Sequence, residues 1–211
     1  MKNRSEKLHV AVVDIGSSRN IGWAICGPEF NCCGTDIDKG IGWFSSALAC
    51  GPLALGFEAP MFVPIREDAE SLTKPRNGEG NRPFSAAAGA TVLVAGLVLV
   101  PYILSKLRKS RSENGGANPV AWQDWSRIPA EKDQMLVFEA FVSNVKAPRG
   151  PINRHVDDAR RAVEKFRADF SVPASAICET RIFSTLGALL LFTEWTTDQG
   201  EICRPCLVVK A

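Results

Sequence analysis

The run Leu8-His9-Val10-Ala11-Val12-Val13-Asp14-Ile15 constrains this chain more than any other segment. Its apolar residues hardly alternate with polar ones, so it reads as a strand covered on both faces, inside a sheet with helices above and below. A carboxylate near the end of such a strand, Asp14, is costly unless something compensates it. The run stops at Gly16-Ser17-Ser18-Arg19-Asn20, which is turn chemistry, and Ile21 to Cys26 resumes as a second strand, forming a hairpin. A third short strand falls around Cys32 to Asp36. Residues 38–50 carry helical spacing through Ile41, Phe44, Ser45 and Leu48 and stop at Gly51-Pro52. Leu53 to Glu58 is again a short apolar strand, and it too ends on a carboxylate.

Past Pro64 the composition changes. Residues 64–82 mix prolines, glycines and charges of both signs, which predicts a long loop. Ser85 to Ser105 is uncharged and is followed by Lys106, Arg108, Lys109 and Arg111. Length and flanking charge permit a membrane span. Pro101, the small residues 86–90 and the lack of a second such stretch favour a buried helix, so no membrane association is expected. A Gly/Asn loop follows over 112–119, a strand over Met135 to Ser143, a turn over Lys146 to Pro151 and an amphipathic helix over His155 to Phe170. A helix over Ser184 to Trp195 and a strand over Cys203 to Val209 complete a mixed α/β sheet.

The 211 residues are 45% hydrophobic and 23% charged, which excludes a disordered chain and is expected for one domain over 1–211. With 25 Lys and Arg against 23 Asp and Glu, the net charge is +2. Bulk charge therefore does not support wrapping of nucleic acid, although a local basic groove remains open. Seven cysteines without an apolar leader ahead of them predict free thiols in a reducing, cytoplasmic setting.

Four carboxylates sit where a carboxylate is expensive: Asp14 and Glu58 at strand ends, Glu139 inside the run Leu136 to Val142, and Asp158 on a helix. Metal ions are a common way to hold several such groups together. Structural readings stand beside this one. Asp14 can cap a turn, Glu58 can pair with Arg66, and Asp158 can complement a helix dipole. Helical spacing favours Asp158 over Asp157 as a ligand: His155, Asp158, Ala159 and Ala162 share the inward stripe, whereas Asp157 lines up with Arg161, Glu164 and Lys165. His155 lies one turn before Asp158 and is a candidate for contacting a phosphate or carboxylate.

The order of these elements and acids resembles the RNase H-like superfamily. Val10-Ala11-Val12-Val13-Asp14-Ile15-Gly16-Ser17-Ser18 resembles its first-strand motif, and Gly56-Phe57-Glu58-Ala59-Pro60 its fourth-strand acid. His155-Val156-Asp157-Asp158-Ala159 resembles the terminal-helix motif of Holliday-junction resolvases. Together with Gly80-Asn81-Arg82-Pro83-Phe84-Ser85 and Val137-Phe138-Glu139-Ala140-Phe141, these motifs are similar to bacterial proteins predicted to be RNase H-like nucleases. The resemblance spans most of residues 8–170 and implies an RNase H-like mixed central β-sheet flanked by helices. It further implies a nuclease in which Asp14, Glu58 and Asp158 bind Mg²⁺ or Mn²⁺ for two-metal hydrolysis of a nucleic-acid phosphodiester. Asp14 would bridge the ions, and Glu139 would be a fourth ligand or orient a metal-bound water. The chain departs from the resolvase pattern at Glu139, inside a strand, and in the long loop after Glu58. Arg66, Lys74, Arg76 and Arg82 on that loop are candidate phosphate contacts. Dimerisation is plausible by analogy with resolvases.

Two other functions compete. The same fold serves as a binding or scaffold module without catalysis. The segment Asp14 to Ser18 also resembles the first phosphate loop of actin-like kinases and ATPases, but no second such loop is evident. Cys203-Arg204-Pro205-Cys206 has zinc-ligand spacing with Cys32-Cys33 as its only partner pair, and buried thiols are the better expectation. Trp122 and Trp125 are read as the lid of a core rather than as a stacking platform for bases.

Overall fold

A computed structural model describes residues 7–17, 20–80, 83–115, 118–142, 153–170 and 174–211. In chain order the elements are β1 (His9–Ser17), β2 (Asn20–Cys26), β3 (Asn31–Gly34), α1 (Ile37–Cys50), β4 (Leu53–Glu58), β5 (Phe62–Pro64), α2 (Ala87–Glu113), β6 (Val120–Trp122), β7 (Gln134–Phe141), α3 (Arg154–Asp169), β8 (Ile182–Ser184), α4 (Thr185–Phe192) and β9 (Val208–Lys210). Seven strands form a mixed sheet in the order β3-β2-β1-β4-β7-β6, with β9 also paired to β7. β1 and β2 are an antiparallel hairpin, β2 and β3 are antiparallel, and β1, β4 and β7 run parallel. β6 and β9 both run parallel to β7, β6 beside residues 134–136 and β9 beside 139–141. A separate two-stranded sheet joins β5 to β8.

The absence of alternation in β1 has the anticipated cause. One face of the sheet, with Val13, Ile15, Leu55, Phe57 and Val137, is covered by α1 and α2. The other, with Val10, Val12, Ala54, Leu136 and Phe138, is covered by α3 through Ala159, Ala162, Val163 and Phe166. Burial at this density stabilises by about 1.5–3 kcal/mol per large apolar side chain. Asp36 caps α1 by accepting from the amides of Asp38 and Lys39, and Asn153 caps α3 through the His155 amide.

Three sequence expectations need correction. The stretch after Ser85 is a helix, but it continues through the basic residues to Glu113 and is only half-buried. Gly96, Val100, Ile103, Leu104 and Leu107 pack inward, while Val94 and Val98 are 63% and 66% exposed. Pro101 is tolerated because the carbonyl it leaves without a donor belongs to Leu97, on the solvent side, where water can serve it. By length and composition α2 is also the one helix, among the described residues, that could cross a membrane. The final strand is shorter than expected, since residues 199–203 form a 3₁₀ turn and only Val208–Lys210 pairs. β5, β6 and β8, three residues each, were too short to leave a periodic signal. The turn expected over Lys146 to Pro151 lies outside the described residues.

Candidate metal centre

Register brings the first two acids together. In the parallel pair β1–β4, Asp14 stands directly beside Glu58, so both side chains leave the same face at the C-terminal ends of their strands. On that face lies α3, and two glycines set how closely it approaches. A Cβ on Gly22 would sit 2.1 Å from the backbone carbon of His155, so the first turn of α3 rests directly on β2. A Cβ on Gly16 would sit 2.3 Å from the His155 ring. This close approach brings Asp158 to Asp14 and Glu58, and one ligand oxygen from each lies within 4.8 Å of the others. Among the described residues no other group of three Cys, His, Asp or Glu side chains converges in this way. Asp158 is the member of the 157–158 pair that joins the cluster, as the helical spacing anticipated.

The site is short of positive charge. His155 donates from Nδ1 to Asp14 Oδ1 at 3.0 Å. Arg154 and Arg161, one turn before and one after Asp158, approach it at 3.5 and 3.8 Å from the solvent side. The amide of Val142 hydrogen-bonds to Glu58, but Glu58 Oε2 is buried and has no partner. Burial, reinforced by the neighbouring charge of Asp14 and by a hydrogen bond with that carboxyl, pushes the Glu58 carboxyl well above the ordinary carboxylate range. Burial also raises Asp158, with Asp14 adding to it and Arg154 and Arg161 opposing it. The hydrogen bond to Asp14 raises His155 against the pull of burial, which favours the imidazolium. An orphaned buried carboxylate oxygen beside two further carboxylates suits a hard divalent cation with oxygen ligands.

The fourth acid goes elsewhere. Glu139 pairs in register with Phe57, not with Glu58, and so points to the opposite face of the sheet from the cluster. It borders the same cavity, yet its oxygens are engaged: Oε1 accepts from Arg76 Nη2 at 2.6 Å, and Oε2 accepts from Arg76 Nη1 at 2.9 Å and from the Met61 amide at 2.8 Å. Arg76 is itself fully buried and also grips Glu79 at 2.9 Å. Burial pulls its guanidinium down, but Glu139 and Glu79 hold it above its ordinary range. Glu139 therefore stabilises the fold behind the centre and leaves no oxygen turned to a metal.

The basic loop does not line the centre as expected. Arg76 is interior, and Lys74 contacts Ser71. Arg66 donates to Glu179 at 2.7 Å and to the Pro75 carbonyl, so it ties the loop to the segment at 175–180 rather than pairing with Glu58. Arg82 lies outside the described residues. Arg154 went unnoticed in the sequence, although its position four residues before Asp158 is the ordinary signal of a helical ion pair.

The weaker motifs resolve along structural lines. Cys206 is fully buried and Cys203 exposed, and all seven thiols are free. Trp122 donates its indole N–H to the Arg127 carbonyl at 2.6 Å and is covered by that guanidinium, so it closes the core beneath it. Gly16, in the segment compared with an actin-like phosphate loop, faces the His155 ring. No family model matches this chain, and neither does any curated protein or solved structure.

Proposed function

We propose that this chain is a divalent-metal-dependent phosphodiester hydrolase acting on nucleic acid, built on an RNase H-like fold, with Asp14, Glu58 and Asp158 as the ligands of Mg²⁺ or Mn²⁺. One observation carries the reading: three carboxylates converge within 4.8 Å, and one of their oxygens is buried without a partner. Left without a cation, such an arrangement costs several kcal/mol, and an all-oxygen ligand set selects hard ions. The sheet supports the fold assignment. A hairpin opens it, an acid ends the first strand, a second acid ends the parallel strand beside it, and the third comes from a helix packed across that face.

A bound divalent cation would polarise a phosphoryl oxygen and offset the negative charge that develops on it as a water attacks the phosphorus. The chain's own groups then have defined tasks. Asp14, central to the cluster, is oriented by the His155 N–H. Glu58 is held by the Val142 amide at the strand end. Arg154 and Arg161 offset part of the charge of Asp158 from the solvent side of the helix. None of these groups is a protein nucleophile, and the hydrolysis requires none.

The test is cleavage of labelled single-stranded, duplex, hybrid and branched substrates with Mg²⁺ or Mn²⁺. Cleavage that needs the ion and falls at least a hundredfold in Asp14→Asn, with circular dichroism unchanged, is the expected result. Bound metal with no cleavage of any substrate would replace the hydrolase with a metal-binding scaffold module.

A further inference from the structure

The cavity that holds the three acids has a second kind of lining. Beside the carboxylates its wall is made by Pro60, Pro83, Ala87, Val92, Phe141 and Val142, and its volume is about 440 Å³, in the range of small-molecule sites. The first turn of α2 contributes only alanines and a glycine to this wall, and Gly89 packs so tightly on the Pro83 carbonyl that a Cβ would lie 2.2 Å from it. This packing fixes the start of α2 against the segment at 83–84 that completes the wall.

Among the described residues Arg154 and His155 bring positive charge to the lining, and Asp158 and Asp14 engage them. An ion alone has no use for an apolar wall. An anion attached to a flat, largely apolar body satisfies both halves of the lining. One end of the β7 segment connects them, since the Val142 amide holds Glu58 while the Val142 side chain belongs to the apolar wall.

Resting on the metal reading above, we infer that the cavity seats a single nucleotide unit, with its phosphate turned to the cation at Asp14, Glu58 and Asp158 and its base against the wall formed by α2 and the end of β7. The substrate class is a mononucleotide or the terminal or extruded nucleotide of a strand.

Adenosine 5′-monophosphate and ribose 5-phosphate carry the same charge and differ by the base, so their calorimetric affinities with Mn²⁺ present isolate the wall. The base is expected to tighten binding at least tenfold, and only with Mn²⁺ present. Val92→Ala, and Ala88→Gln at an exposed position in the same wall, should each cut that preference to threefold or less while Mn²⁺ affinity stays within twofold. Equal affinity for the two ligands with Mn²⁺ bound would overturn this inference and leave the metal reading intact. So would a preference unchanged in both variants, or a blunt 12-base-pair duplex that competes tenfold better than the mononucleotide. Failure of Mn²⁺ itself to bind would overturn both.

Discussion

Two groups of buried acids border one cavity in this molecule and are balanced in opposite ways. Around Arg76, two carboxylates share one guanidinium through four hydrogen bonds, two to Glu79 and two to Glu139, and all three side chains are essentially without solvent exposure. The backbone amide of Arg76 donates a fifth bond to Glu79. Around Asp14, three carboxylates share one imidazole and two partly exposed arginines, and one oxygen has nothing. Compensation, not burial, separates them. The first group is closed by the chain itself and holds the loop at 66–80 to β7. The second borders the same cavity with its charge only partly offset.

The largest effect should come from opening the closed group. Arg76→Met strands two buried carboxylates, and breaking a buried pair in this way costs about 3–5 kcal/mol. Urea unfolding would measure it, and a loss under 1 kcal/mol would mean the triad is not the anchor described. Next, the open group should be selective between neighbours. Asp158→Ala should weaken Mn²⁺ binding by more than about tenfold, as even outer partners of a metal cost that much. Asp157→Ala should change it less than threefold, and equal losses in calorimetry would erase the distinction between the two faces of α3.

The pH response should be smaller and of fixed sign. The raised Glu58 carboxyl favours the folded state while protonated, so its contribution is full below the unfolded value of about 4.3 and is lost as pH rises through the folded one. His155, also raised, contributes fully below about 6.5 and less above its folded value. Both act in one direction. In chelator, Tm should therefore fall between pH 5 and 8, and Mn²⁺ or Glu58→Gln should flatten the decline. A Tm that rises over that window in wild type and variant alike would contradict the assignment. Smallest of all, Cys203→Ser at an exposed free thiol should shift stability by no more than about 0.5 kcal/mol, and zinc should not change its Tm.

Most of the sheet was legible because its strands and helices carry long patterns. β1 lacks alternation and is covered on both faces, and the stripe of α3 separates Asp158 from Asp157. Glu139 shows where such reading ends. That a carboxylate inside an apolar strand needs a cation was evident, but which cation depended on a partner 63 residues away and on a register one residue off that of Glu58. Neither is a local property. The outward face of α2 was misread for a related reason, since an uncharged helix declares its hydrophobicity but not how much of it the rest of the fold covers.

The central claim is that the three acids form a cation site, and a calorimetric Mn²⁺ titration of wild type and Glu58→Gln tests it most directly. Glu58→Gln keeps the shape, fills the orphaned position with a neutral amide and removes one ligand charge. The account predicts saturable binding in wild type, loss of more than tenfold in the variant, and a metal-free variant at least as stable as wild type. Wild type that binds no Mn²⁺ at millimolar concentration, or a variant that binds it equally well, would contradict the account.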